Sequence, residues 1–149
     1  MKIIIPLLVL LGGLASGVMV ATNARLKDSL GSPALTTAIA FAIGSLVMFA
    51  VAASGITGKN EWKDVSALPW WAWIGGVLSI FAVTVMVFAK DAGGGNIALI
   101  LAATVVGQQV AALALAHFGW LGTDKEPINA WRIAGFVLLA GGALLMGKK

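Results

Sequence analysis

The sequence predicts an all-α integral membrane protein with five transmembrane helices, on three observations. The chain is 60% hydrophobic and 11% charged, with a mean hydropathy of +0.98, where soluble domains carry about 25% charged residues. Its apolar residues fall into five runs, at about residues 3–22, 33–53, 69–89, 96–116 and 128–146. Each is near the ~20 residues that an α-helix needs to cross ~30 Å of hydrocarbon. The longest polar connection, 54–68, is too short to fold alone. Residues 1–149 therefore read as a single transmembrane domain.

The first run carries no charge between Ile3 and Ala24. Its start, Met1-Lys2 and then apolar residues to Leu14-Ala15-Ser16-Gly17, mimics a secretory signal. The reading preferred is an uncleaved first span. Gly13 and Gly17 form a small-xxx-small face that permits close helix approach, a pattern common by chance in a glycine-rich chain. Gly31-Ser32-Pro33 then stops one helix and starts the next, with glycine past the end and proline in the first turn. The first two helices should form an antiparallel hairpin.

Pro69 is expected to open the third helix, followed by Trp70, Trp71 and Trp73. Such a cluster is more often an interfacial aromatic belt; the functional alternative is an aromatic wall at the mouth of a solute path. Lys90-Asp-Ala-Gly-Gly-Gly-Asn96 reads as a plain turn. Free N–H groups at a helix start could hold an anion, but the Lys-Ser/Thr ending of a phosphate loop is missing.

The fourth run holds the most telling polar residues. Gln108 and Gln109 fall near mid-bilayer, and Thr104 lies one turn before Gln108 on the same face. An amide at that depth has no water and needs a partner or a hydrated cavity. Amides also hold helices together at modest gain, which is the reading preferred for Gln109, while Gln108 stands evenly between the two roles. His117, ending this run, is more often a structural hydrogen-bonder than a proton-sensitive gate. The fifth run has fifteen uncharged residues, 133–147, so Arg132 must snorkel beside an anchoring Trp131. Gly135 and Gly142, seven apart, make a smooth stripe for a helix partner.

Composition narrows the chemistry. No cysteine is present, which excludes disulfides and thiolate chemistry, and no metal-binding pattern or cofactor motif stands out. The net charge of +4 comes from basic residues scattered singly at helix ends, where they anchor; nucleic acid is not an expected partner. The mid-depth polar groups are Ser16, Ser45, Ser79, Thr104, Gln108 and Gln109, with no Asp, Glu, Lys or Arg among them. General acid–base catalysis needs a titrating group at the chemistry, so an enzyme is the least favoured class. Proton-coupled pumps usually show an intramembrane carboxylate. A polar, uncharged interior suits neutral or amphipathic solutes.

The basic residues bear on orientation. Five spans place Lys2, Lys59, Lys63, Lys125 and Arg132 on one face and Arg25, Lys27, Lys90, Lys148 and Lys149 on the other. Lys/Arg asymmetry between loops sets orientation, and five against five leaves no bias. The acids do not restore one: Glu61, Asp64, Asp124 and Glu126 oppose Asp28 and Asp91, and acids contribute little. A chain that inserts both ways can form an antiparallel C2 homodimer. Ten helices related by inversion match the inverted repeats of transporters, whose substrate site lies at the repeat interface.

Several runs carry a family resemblance: Thr22-Asn23-Ala24-Arg25-Leu26, Gly31-Ser32-Pro33, Trp70-Trp71-Ala72-Trp73-Ile74-Gly75-Gly76, and Gly107-Gln108-Gln109 followed by His117-Phe118-Gly119-Trp120-Leu121-Gly122. In order and spacing the chain resembles the YdcZ-like five-helix branch of the drug/metabolite transporter superfamily, over essentially its whole length. The resemblance implies a bacterial inner-membrane, multi-pass transporter of half-unit size, related to small multidrug transporters, for which antiparallel assembly is plausible. It carries over Asn23 and Gln108 as site or coupling positions. Relatives often have an acid where this chain has Ala116 and a glutamine within the stretch that here reads Val18-Met19-Val20-Ala21.

The expectation is a transporter half-unit that exports or exchanges a small neutral or amphipathic solute by alternating access. Gln108 and Thr104 would hydrogen-bond the solute, Ser45 and Ser79 would line the cavity, Asn23 would cap one end, and Trp70 or Trp71 would gate it. Gly135 and Gly142 would hold the dimer. The alternative is a non-transporting scaffold or accessory subunit that pairs with another membrane protein.

Overall fold

The computed structural model describes residues 4–58, 65–92 and 95–148. Lys2, Lys59, Lys63 and Lys149 of the charge count, with Glu61, Asp64, Gly93 and Gly94, lie outside the described residues. The described elements are all helical. They are α1 (Ile4–Leu30), α2 (Pro33–Ser54), α3 (Gly75–Ala92), α4 (Ile97–Phe118) and α5 (Ala130–Met146), with short 3-10 turns between them. Four of the five are long and apolar enough to cross a membrane. The fifth, α5, has 17 residues, at the bottom of the ~17–25 residue range for a spanning helix. The expectation of five membrane-length helices is thus met by four, with α5 shorter.

The chain divides into two compact units, Met1–Phe88 and Ala89–Lys149. In the first, α1 and α2 pack as the predicted hairpin. The connection is tighter than hydropathy suggested. Helix α1 continues through Arg25, Lys27 and Asp28 to Leu30, so only Gly31 and Ser32 separate it from α2. Hydropathy marks where an apolar span ends, while Ala, Arg, Leu and Lys are all strong helix formers and carry the helix on. Gly31 sits at φ +69° and its N–H bonds the Lys27 carbonyl at 2.8 Å, the left-handed C-cap that glycine adopts without a Cβ penalty. Ser32 caps α2, its hydroxyl accepting from the Leu35 N–H at 3.2 Å.

The third helix also starts later than predicted. Pro69 is extended, at φ −66° and ψ 148°. Trp70–Trp73 form a 3-10 turn, and α3 begins only at Gly75. Proline suits a helix start, but here its extended ψ leads into the 3-10 turn of the tryptophans instead.

In the second unit α4 packs against α5. Asn96 works at both of their ends. Its Oδ1 accepts from the Leu99 N–H at 3.0 Å, capping α4, and its Nδ2 donates to the Met146 carbonyl at 3.0 Å, at the close of α5. Asn129 caps α5 through the Arg132 N–H at 2.9 Å. The large apolar side chains of all five helices are mostly exposed, among them Leu46, Phe49, Leu138 and Leu144. Such surface is natural where the solvent is lipid, and the backbone groups are satisfied within helices as lipid requires.

Candidate functional site

Each unit contains a cleft. The hairpin of the first unit brings Asn23, eight residues before Gly31, level with Ala40, eight residues after Ser32. Between the helices opens a cleft of about 590 Å³, lined by Met19 and Asn23 of α1, by Ala40, Phe41, Ile43, Gly44, Ser45 and Met48 of α2, and by Val83 of α3. No charged residue lines it. Asn23 is only 7% exposed, yet its amide bonds none of the described residues. No wholly buried side-chain polar atom among the described residues lacks a partner, so the amide oxygen and nitrogen of this cleft-lining residue each keep some accessible surface. A buried amide without a hydrogen bond costs about 1–3 kcal/mol by mutational measures.

The cleft's hydroxyl is differently disposed. Ser45 donates to the Phe41 carbonyl of its own helix at 2.7 Å. Ser79 and Thr104 bond back in the same way, to Gly75 at 2.9 Å and Ile100 at 2.8 Å. Back-bonding spends the one proton and leaves the oxygen an acceptor. Nearby, Thr36 and Thr37 are fully buried, their hydroxyls bonding the Ser32 and Pro33 carbonyls. Thr84 reaches Thr37 across to α3 at 3.0 Å.

The second unit holds a cleft of about 500 Å³ between α4 and α5, lined by Gln109, Ala112, Leu113, Ala116, Glu126, Arg132, Gly135, Phe136 and Leu139. Its rim is made by residues 119–129 folding back on α4. The Glu126 N–H bonds the Ala116 carbonyl at 2.8 Å, Thr123 Oγ1 bonds the Leu115 carbonyl at 3.0 Å, and the Ile128 N–H donates to His117 Nδ1 at 3.3 Å. Leu121 takes a left-handed φ of 55° in this turn, a conformation that non-glycine residues seldom adopt. Arg132 pairs with the Glu126 carboxylate and donates to its carbonyl at 3.2 Å. Partly exposed pairs of this kind contribute about 0–1 kcal/mol.

The structure brings Asn23 and Ser45 into one cleft and leaves the other candidates elsewhere. Gln108 is exposed on α4 and lines neither cleft; its neighbour Gln109, about 100° around the helix, lines the second. Thr104 is half-buried on α4, and Ser79 is exposed on α3. Trp70 is exposed and Trp71 half-buried in the turn before α3. Gly135 lines the second cleft, while Gly142 has open space over its Cα. Sequence reasoning missed Glu126 and Arg132 as cleft residues. The available signal was a Glu and an Arg six apart, flanking Pro127 and a capping Asn129 at the start of an apolar run.

With the fold in place, one comparison decides the family. A family model described as "Putative inner membrane exporter, YdcZ" matches residues 4–145. The chain belongs to the YdcZ family. It is a multi-pass inner-membrane protein of the drug/metabolite transporter type, and YdcZ is an exporter family rather than an enzyme family. No curated protein and no solved structure matches this YdcZ chain.

Proposed function

We propose that this chain is the half-unit of an exporter for small neutral or amphipathic solutes, working as an antiparallel homodimer by alternating access. The observation that carries the reading is the Asn23 amide, nine-tenths buried and unpartnered in a cleft lined otherwise by apolar residues and the back-bonded Ser45. A scaffold needs no such group, and evolution would lose nothing by replacing it with an apolar one. A solute path needs polar atoms that stay unsatisfied until the solute arrives.

In this proposal Asn23 and Ser45 hold the solute within the first unit, where Ser79 lines the path and Trp70 or Trp71 gates it, while Gln108 and Thr104 are the polar contacts that α4 offers a solute within the second unit. The exposed glycine stripe of Gly135 and Gly142 is the dimer contact, with α5 completing a fifth span. Trp131 and Arg132 at its start would anchor it at the headgroups. The even split of Lys and Arg supports insertion both ways up.

The test is efflux of a panel of neutral amphipathic solutes from proteoliposomes. Gln108→Ala and Asn23→Leu should each lower efflux at least about tenfold, the scale of one lost hydrogen-bonded contact, while the protein still elutes as the assembled species. Efflux unchanged by both substitutions would remove the site, and efflux absent from the unaltered protein would leave the scaffold reading.

A further inference from the structure

The chemistry of the first-unit cleft specifies more than neutrality. Asn23 lines the cleft with a carbonyl acceptor and an NH2 donor side by side, each with some accessible surface and neither bonded to a described residue. Ser45, its hydroxyl proton committed to Phe41, offers only an acceptor. The other lining groups are apolar, with Phe41, Met19 and Met48 the largest. Thioether side chains re-pack around varied shapes, so the apolar wall is tolerant where the amide is not.

Three ligand chemistries fail against this set. A carboxylate meets one donor pair and no cation, and a free ammonium meets acceptors but no carboxylate; each would lie desolvated without a counter-ion. An ester or ether can accept from Nδ2 but leaves Oδ1 unsatisfied. A primary or cis-secondary amide satisfies both atoms at once, through a paired donor–acceptor edge, and the second N–H of a primary amide can serve Ser45. The volume of about 590 Å³ is within the ~300–1,000 Å³ of small-molecule pockets. We infer that the α1–α2 cleft recognises the amide edge of a neutral solute (a carboxamide, lactam or ureide) carrying an apolar body, with Asn23 as the selecting group. This rests on the exporter reading and names the solute class that its site would take.

The chain has no cysteine, so Met48→Cys puts a single thiol on the cleft wall. Maleimide labelling of this protein in detergent is followed with four probes on one skeleton: phenylacetamide, phenylacetate, methyl phenylacetate and phenethylamine. Phenylacetamide should protect the thiol at about tenfold lower concentration than the other three, as expected for a paired hydrogen-bonding edge against analogues that leave a polar atom unmet. Asn23→Leu should abolish that preference. Asn23→Asp, the same shape with donors exchanged for a charge, should transfer the preference to phenethylamine, a gain that an unfolded protein cannot show. Equal protection by all four probes, no protection by any, or an amide preference that survives Asn23→Asp would overturn the inference. Amide-selective protection with no efflux from proteoliposomes would uphold the ligand class and sink the exporter reading. Efflux without amide-selective protection would do the reverse.

Discussion

The side-chain oxygens of Thr37 and Thr84 stand 3.0 Å apart, tying α2 to α3 through a pair of hydroxyls. Thr37 sends its proton to the Pro33 carbonyl at 3.0 Å. Thr84 therefore donates, and it has a second acceptor in its own helix, the Ile80 carbonyl at 2.8 Å. A membrane helix pair joined in this way contains no charge that must be desolvated. It sits beside the cleft that holds Asn23, on the same three helices.

That fallback sets the size of the first prediction. Thr37→Val keeps the shape and leaves Thr84 bonded to Ile80, so no polar atom is orphaned. The expected loss is small, about 0.6 kcal/mol, in line with interhelical hydrogen bonds in membranes. A double-mutant cycle of Thr37→Val with Thr84→Val, read by denaturation in mixed micelles, should return a coupling of that order. A coupling of several kcal/mol, or none, would contradict the bond as described.

Asn23 should behave in the opposite sense. Asn23→Leu removes an unpaired amide and fills the same space with apolar atoms. Stability should rise or stay level, by up to about 1 kcal/mol, while efflux falls. Gain in one and loss in the other is what a group kept for function produces. A large destabilisation would mean that the amide is already bonded.

Asn96 separates two contributions at one residue. Asn96→Ala loses the α4 cap and the bond to Met146, and should cost about 1–2 kcal/mol. Asn96→Asp keeps the acceptor for the Leu99 N–H but replaces the donor to Met146 with an anion facing a helix C-terminus, which is unfavourable. The aspartate form should therefore fall between the asparagine and alanine forms in a thermal melt, and raising salt should narrow its deficit.

Gly31→Ala tests the α1–α2 turn. A Cβ there meets nothing within 4 Å, so the cost is the left-handed backbone alone, about 1–2 kcal/mol. Gly76→Ala on α3, equally open but right-handed, should instead stabilise by roughly 0.5–1 kcal/mol. Opposite shifts in melting temperature are expected from the two.

Where hydropathy and helix-stop chemistry coincide, the elements were legible in the sequence. Pro33–Ser54 lies within a residue of the predicted second span, because Ser32-Pro33 begins it and Gly55 ends it. Where they diverge, the sequence reading strayed. Helix α1 runs on past its apolar stretch, and α3 waits for Gly75 despite Pro69. Asn23 was legible as a candidate through its place in a family-like run, but its burial and lack of a partner depend on the facing α2. Glu126 and Arg132 were not legible as cleft residues. Their positions depend on a fold-back in which Leu121 takes a left-handed backbone, which no local pattern announces. The glutamines show the limit of depth as a guide, since Gln108 and Gln109 share a depth but differ in facing.

The central claim, a half-unit that inserts both ways up and pairs head to tail, is tested most directly by accessibility. Ser29 lies in the last turn of α1 and Ile56 just beyond α2, so a membrane-spanning α2 puts them on opposite sides. Both are exposed, and changing either to cysteine leaves the Lys/Arg count untouched and creates the only thiol in the chain. Intact spheroplasts would be labelled with an impermeant maleimide, before and after permeabilisation. The account predicts that about half of each variant labels from outside and the remainder only after permeabilisation. Full external labelling at one position and none at the other would fix a single orientation and contradict the antiparallel homodimer.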